Sequence, residues 1–138
     1  MYLLDTNVIS EMRKANSGKA DANVIYWMKQ VSTDWLYVSV ITLLELETGI
    51  LRVERRDQQQ GAMLRHWLNN QVLPTFEHRT LAVDTAVARR CAALHVPDPR
   101  SDRDALIAAT ALVHDMIVVT RNTIDFAPTK VDMVNPWG

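Results

Sequence analysis

The chain has 138 residues, 48% of them hydrophobic and 22% charged, with a net charge of −1. Those values exclude a disordered chain and fit one domain with its own core, spanning residues 1–138. The single cysteine, Cys91, excludes an intrachain disulfide. No cationic leader precedes Asp5 and no apolar run reaches the length of a bilayer, so a cytoplasmic location and no membrane partner are expected.

Residues 1–4, Met-Tyr-Leu-Leu, form a short apolar run that stops at Asp5-Thr6-Asn7. Such a run predicts a buried strand. Asp5 then sits at the strand's C-terminal end, where α/β sheets place their ligands. It is equally suited to cap the next helix, and its position alone does not separate the two roles. A short helix is expected over 7–14, a turn over 15–18 and an amphipathic helix over 22–31. Residues 34–38 read as a second strand, with Ser39 as N-cap of a helix from 40 to about 52.

That third helix is nearly all apolar and is expected to be buried on most sides. Two acids interrupt it. At about 100° per residue, Glu47 falls within the apolar stripe and Glu45 at its edge. A carboxylate in such a place is costly unless it is paired or binds a metal. An arginine partner or a subunit edge would satisfy either acid, and periodicity leaves open which one is functional.

Residues 54–60 are charged and polar, either a solvated helix turn or, through Arg52, Arg55 and Arg56, a phosphate contact. A helix over 58–72 is expected to end at Pro74. A third strand covers 80–83, and Asp84 caps a helix over 85–95 in which Cys91 reads as a structural thiol. After a stiff loop, Ser101 and Asp104 have capping-box spacing before a helix over 105–114. Residues 116–120 form the clearest strand, 121–126 a polar turn and 131–134 a final strand. Strands separated by helices predict an α/β fold with a central, mainly parallel sheet flanked by α-helices.

Asp5, Glu45, Asp104 and the Asn122/Asp125 turn all fall near strand ends or helix starts, which share one edge of a parallel sheet. Two carboxylates ~4 Å apart repel by about 4 kcal/mol at an effective dielectric of 20, so a cluster needs a cation or shared protons. Oxygen donors without a Cys/His cluster suit magnesium or manganese rather than zinc. The net charge carries no nucleic-acid signal by itself, but gathering four acids leaves 15 basic against 12 acidic groups elsewhere.

Four segments resemble the motifs of PIN-domain proteins, in the family's order: Leu3-Leu4-Asp5-Thr6-Asn7-Val8-Ile9, Thr42-Leu43-Leu44-Glu45-Leu46-Glu47-Thr48-Gly49, Asp104-Ala105-Leu106-Ile107-Ala108-Ala109-Thr110-Ala111 and Val119-Thr120-Arg121-Asn122-Thr123-Ile124-Asp125-Phe126. The resemblance covers essentially the whole chain and is greatest to VapC-type toxins of bacterial toxin–antitoxin pairs. The ending Val134-Asn135-Pro136-Trp137 is similar to the FitB-like branch.

The resemblance implies a PIN-like fold and a magnesium-dependent endoribonuclease that hydrolyses RNA with metal assistance. It also implies a homodimer, restrained by a small VapB-like antitoxin in a larger hetero-oligomer. Asp5, Glu45 and Asp104 match the acidic metal-site positions. Glu45 rather than Glu47 fits the pattern Glu-Leu-x-x-Gly ending at Gly49. Asn7 matches a residue supporting the first acid, and Thr120 a polar residue ending the last central strand. The fourth position departs from the commonest pattern, with Asn122 where many members have Asp. Asp125 is the available fourth catalytic acid and Asn122 an uncharged ligand.

Candidate RNA contacts are Arg13, Lys14, Arg52 and Arg121. Three other readings stand beside this one: a housekeeping RNA-processing PIN nuclease, a catalytically silent binding module, and a phosphoryl-transfer enzyme with Asp5 as nucleophile. The last is weakened because Asn7 stands where such enzymes want a second acid.

Overall fold

Five short apolar segments pair side by side into one sheet, in the order β3-β2-β1-β4-β5, with every neighbouring pair parallel. The computed structural model describes all of Met1–Gly138. The strands are β1 (Tyr2–Leu4), β2 (Leu36–Ser39), β3 (Thr80–Leu81), β4 (Ile117–Val119) and β5 (Met133–Val134). The helices are α1 (Thr6–Arg13), α2 (Ala22–Gln30), α3 (Val40–Arg56), α4 (Gln58–Trp67), α5 (Thr85–Leu94), α6 (Asp102–His114) and α7 (Thr123–Phe126).

β1 is the central strand. Leu3 aligns with Tyr37 of β2 and Val118 of β4, and Leu4 aligns with Val119. Successive side chains point to opposite faces, so Leu4, Leu36, Val38 and Val119 enter one core with Val8, Ile9, Leu46 and Ile50. Leu3 and Val118 enter a second core with Ile41, Ile107, Ala108 and Phe126. Both faces are covered, which is why these strands read as unbroken apolar runs.

The helix starts follow local chemistry. Ser39 Oγ accepts from the Ile41 N–H at 3.0 Å, and Asp84 Oδ1 from the Val87 N–H at 3.0 Å, as caps at the expected places. Asp57 supplies a cap that the sequence reading did not anticipate, accepting from the Gln60 N–H at 3.1 Å. Residues 54–60 are thus the junction of two helices, with α3 running to Arg56. Gly61 lets α4 lie close on α3, since a Cβ there would stand 2.6 Å from the Glu54 Cα.

Four expectations need correction. Pro74 does not end the helical run. Residues Leu68–Val72 widen into a π-helical turn, and Leu73 donates to the Leu68 carbonyl, before a last helical turn over Leu73–Thr75 that holds Pro74. Pro74 stands at the start of that last turn, where proline's missing N–H costs least. Ser101 occupies the N-cap position of α6 but its side chain makes no capping bond. α3 is covered on one side only: Ile41, Thr42, Leu46 and Ile50 are buried, whereas Leu44 and Leu51 are 48% and 56% exposed, because no layer of this chain lies over them. β3 is two residues rather than four, since only Thr80 and Leu81 find partners, in Val38 and Ser39.

Candidate active site

The sheet brings the C-terminal ends of β1 and β4 side by side, and Asp5 is the first residue past β1. Its own N–H bonds to the Val119 carbonyl at 2.9 Å, which fixes it to β4. Its carboxylate is 4% exposed. Oδ1 accepts from the Thr6 N–H at 2.8 Å, so Asp5 does cap α1. Oδ2 accepts from Thr120 Oγ1 at 2.7 Å and from Asn7 Nδ2 at 3.4 Å. Thr120 Oγ1 in turn accepts from the Asn122 N–H at 2.9 Å. Capping and site-building are therefore roles of the same side chain.

Glu45 projects from the second turn of α3 toward α1. Thr6 Oγ1 donates to Glu45 Oε1 at 2.8 Å and also lies 3.4 Å from Thr42 Oγ1. Arg103 Nη1 stands 3.9 Å from Glu45 Oε2. Glu47 faces elsewhere and pairs with Arg65, which also pairs with Glu54. The two acids that periodicity could not separate are thus separated by their neighbours. Neither is fully buried.

Asp104 opens α6 and Asp125 lies in α7; they line one cleft of about 280 Å³ with Arg100, Ser101 and Ile124. Burial pushes the Asp104 carboxyl up to about 6, with the charges of Asp5, Asp125 and Glu45 adding to the shift. Burial also raises Asp5, against the lowering effect of its bonds to Thr120 and Thr6, and Glu45 and Asp125 raise it further. Asn122 is exposed and meets the cluster through its backbone N–H on Thr120, whereas Asp125 acts on both Asp5 and Asp104 through its charge.

The basic candidates divide. Arg13 lines a groove with Thr6, Ser10, Glu45 and Gly49, so it shares that groove with one of the candidate acids. Arg121 is exposed beside Asn7, its N–H 3.4 Å from Asn7 Oδ1. Arg52 is exposed two helical turns beyond Glu45, about 10 Å along α3. Lys14 pairs with Glu11 at 3.3 Å. Sequence reasoning missed Thr6, Thr42 and Arg103. Thr6 and Arg103 each adjoin a candidate acid, and that adjacency was the available signal; Thr42 had none, because its contact is tertiary.

The donors fit a hard divalent cation. They are oxygen-only, Asp5 and Asp104 are raised by burial and by the charges of their neighbours, and the innermost is oriented by three hydrogen bonds. No three His, Cys, Asp or Glu side chains close around a common point. Magnesium keeps several waters and takes one or two carboxylates, so it does not require such a cage.

A parallel sheet flanked by helices, with an acid cluster near the C-terminal ends of its central strands, defines an α/β protein whose candidate site lies at that edge of the sheet. Residues 2–130 match the PIN domain. The chain is 34% identical to the VapC ribonuclease Y4jK of Sinorhizobium fredii over 142 aligned positions, covering 99% of this chain and 98% of that protein. It is also 34% identical to the toxin FitB of Neisseria gonorrhoeae, covering 99% of each. The crystal structure of FitAcB from Neisseria gonorrhoeae superposes with a TM-score of 0.89 at 32% identity, over 99% of both chains. The chain belongs to the PIN-domain family, among its VapC- and FitB-type toxins.

Proposed function

We propose that this chain is a magnesium-dependent endoribonuclease, the toxin of a toxin–antitoxin pair. The observation that supports it most is the set of four carboxylates, Asp5, Glu45, Asp104 and Asp125, gathered from four separate segments, with Asp5 and Asp104 raised in part by the charges of the others. Asp5, Asp104 and Glu45 would hold the cation, with Asp125 as the fourth acid and Asn122 as an uncharged ligand. A bound magnesium or manganese ion supplies Lewis-acid stabilisation of phosphate charge and makes water acidic enough to attack at neutral pH.

The chain's own part is orientation and charge. Thr6, Asn7 and Thr120 hold the Asp5 carboxylate in one direction, and the Thr6 hydroxyl holds Glu45. Burial raises the Asp104 carboxyl to about 6, close enough to neutrality for it to hold or lose a proton there. Arg13, Arg52, Arg121 and, less directly, Lys14 offer cations to the RNA backbone around an acidic centre that would otherwise repel it.

The partner is a small VapB-like antitoxin, on the strength of the likeness to FitB in its complex with FitA. A homodimer, joined to the antitoxin in a larger assembly, accompanies this reading. The exposed Leu44 and Leu51 of α3 offer an apolar surface for assembly.

Purified protein is incubated with total RNA in magnesium, in manganese and in chelator. Cleavage in either metal, lost in chelator and in Asp5→Asn, is the expected result. Metal-independent cleavage or a fully active Asp5→Asn would overturn the mechanism. Growth arrest on expression, relieved by a neighbouring small gene, tests the pairing.

A further inference from the structure

Arg121 is the first residue beyond Thr120, and it takes part in none of the ion pairs within the chain. Its guanidinium instead lies over the ring of Trp137, 5.3 Å from the centroid. The ring is anchored. The main-chain N–H of Trp137 donates to Asn135 Oδ1 at 3.0 Å, and its main-chain carbonyl accepts from Asn23 Nδ2 at 3.0 Å. The side chain packs against the core that contains Leu4, Val8 and Ile9. At its other end, Arg121 is tied to the acids: its N–H meets Asn7 Oδ1 at 3.4 Å, and Asn7 Nδ2 meets Asp5 Oδ2 at 3.4 Å.

An arginine free in solvent loses much rotamer freedom when it contacts a ligand, and one already stacked on a ring loses less. A cation with no carboxylate partner, tied by its backbone to the residue that supports Asp5, offsets the repulsion that an acid cluster exerts on a polyanion. Resting on the ribonuclease reading above, we propose that Arg121 contacts a phosphate of the RNA strand beside Asp5, and that Trp137 is a positioning residue that holds its guanidinium there. The tail residues 134–137 then complete the substrate groove rather than merely closing the fold.

The test uses the whole chain and a fluorophore-labelled, mixed-sequence single-stranded RNA. Affinity is measured over a range of salt in an Asp104→Asn background, and KM and kcat are measured with Asp104 intact. Arg121→Ala is expected to make the slope of log affinity against log salt shallower by about 0.7, one single-strand phosphate contact. It is also expected to raise KM with little change in kcat. Trp137→Ala is expected to weaken binding about two- to fivefold, the range of an exposed cation–π contact, while Trp137→Phe retains most of it.

In the Arg121→Ala background, Trp137→Ala is expected to add nothing, because its effect passes through Arg121. Trp137→Leu keeps an apolar group on the core and removes the π face, so the loss of stacking is readable even if the alanine variant unfolds. An unchanged salt slope in Arg121→Ala, or equal Trp137 effects in both backgrounds, overturns the proposal. If the wild-type chain cleaves RNA and Arg121→Ala binds normally, this proposal fails alone; if the wild-type chain binds no RNA, the ribonuclease reading fails with it.

Discussion

The Thr120 hydroxyl donates to Asp5 Oδ2 at 2.7 Å, joining residues 115 positions apart in sequence. The bond is buried, and Thr120 also accepts from the Asn122 N–H. Thr120→Val keeps the shape and removes both interactions. Residues that orient a metal-holding carboxylate change metal affinity by about 10–100-fold when lost. Calorimetry is expected to show magnesium binding weakened within that range while circular dichroism stays native; unchanged affinity would mean that Thr120 only shapes the strand end.

The raised Asp104 carboxyl makes a statement about stability. Its pKa is about 6 in the folded chain and 3.8 as the ordinary value, so the folded state binds this proton more tightly. The stabilisation is complete below about 4 and is lost as pH rises through about 6. Without divalent cation, the thermal midpoint is therefore expected to fall between pH 4 and pH 7, and magnesium is expected to restore it at pH 7. Carbon-detected NMR of the Asp104 carboxyl checks the titration, and Asp125→Asn is expected to lower its pKa. A midpoint indifferent to both pH and magnesium would contradict the repulsive cluster.

Glu45 and Glu47 differ by partner rather than by type. Glu45 faces Thr6 and Arg103, and Glu47 faces Arg65. Glu45→Gln is expected to lower RNA cleavage on the order of 100-fold, the lower end of what positioned acid groups contribute. Glu47→Gln is expected to leave cleavage near wild type. Equal losses in a cleavage assay would place both acids, or neither, in the chemistry.

Two helical glycines predict opposite signs. A Cβ on Gly61 would stand 2.6 Å from the Glu54 Cα and 2.9 Å from its nitrogen, both backbone atoms. Gly61→Ala must push α4 off α3, at a cost of about 1–3 kcal/mol for overpacking. Nothing lies within 4 Å of a Cβ on Gly49, which is exposed in the interior of α3. Gly49→Ala is expected to stabilise by about 0.5–1 kcal/mol, the backbone entropy of glycine in a helix. Urea unfolding midpoints moving in the same direction would refute the contrast.

Much of this was written locally. Ser39 and Asp84 cap the helices that follow them because a short polar side chain before an apolar repeat has few other uses, and β1 and β4 follow from short apolar runs ending in polar turns. The errors came where a distant partner decided the outcome. Pro74 is a local exception, since it stands at the start of a last short helical turn that follows a π-helical one. The exposed side of α3 is as apolar as a buried one, and periodicity cannot say what covers it. Glu45 and Glu47 sit two residues apart, and only the packing of α1 and α4 tells them apart. Arg103 was invisible because its contact with Glu45 crosses 58 positions of the chain.

The central place of β1 has a consequence for timing. Asp5 is made 115 residues ahead of Thr120, yet its carboxylate bonds to that side chain and its backbone N–H to Val119. Until β4 has left the ribosome, β1 has an open edge and Asp5 lacks both partners, and Asp125 follows later still. A growing chain therefore carries Asp5 without a site around it until β4 arrives, and an incomplete product stalled before β4 cannot assemble the acid cluster.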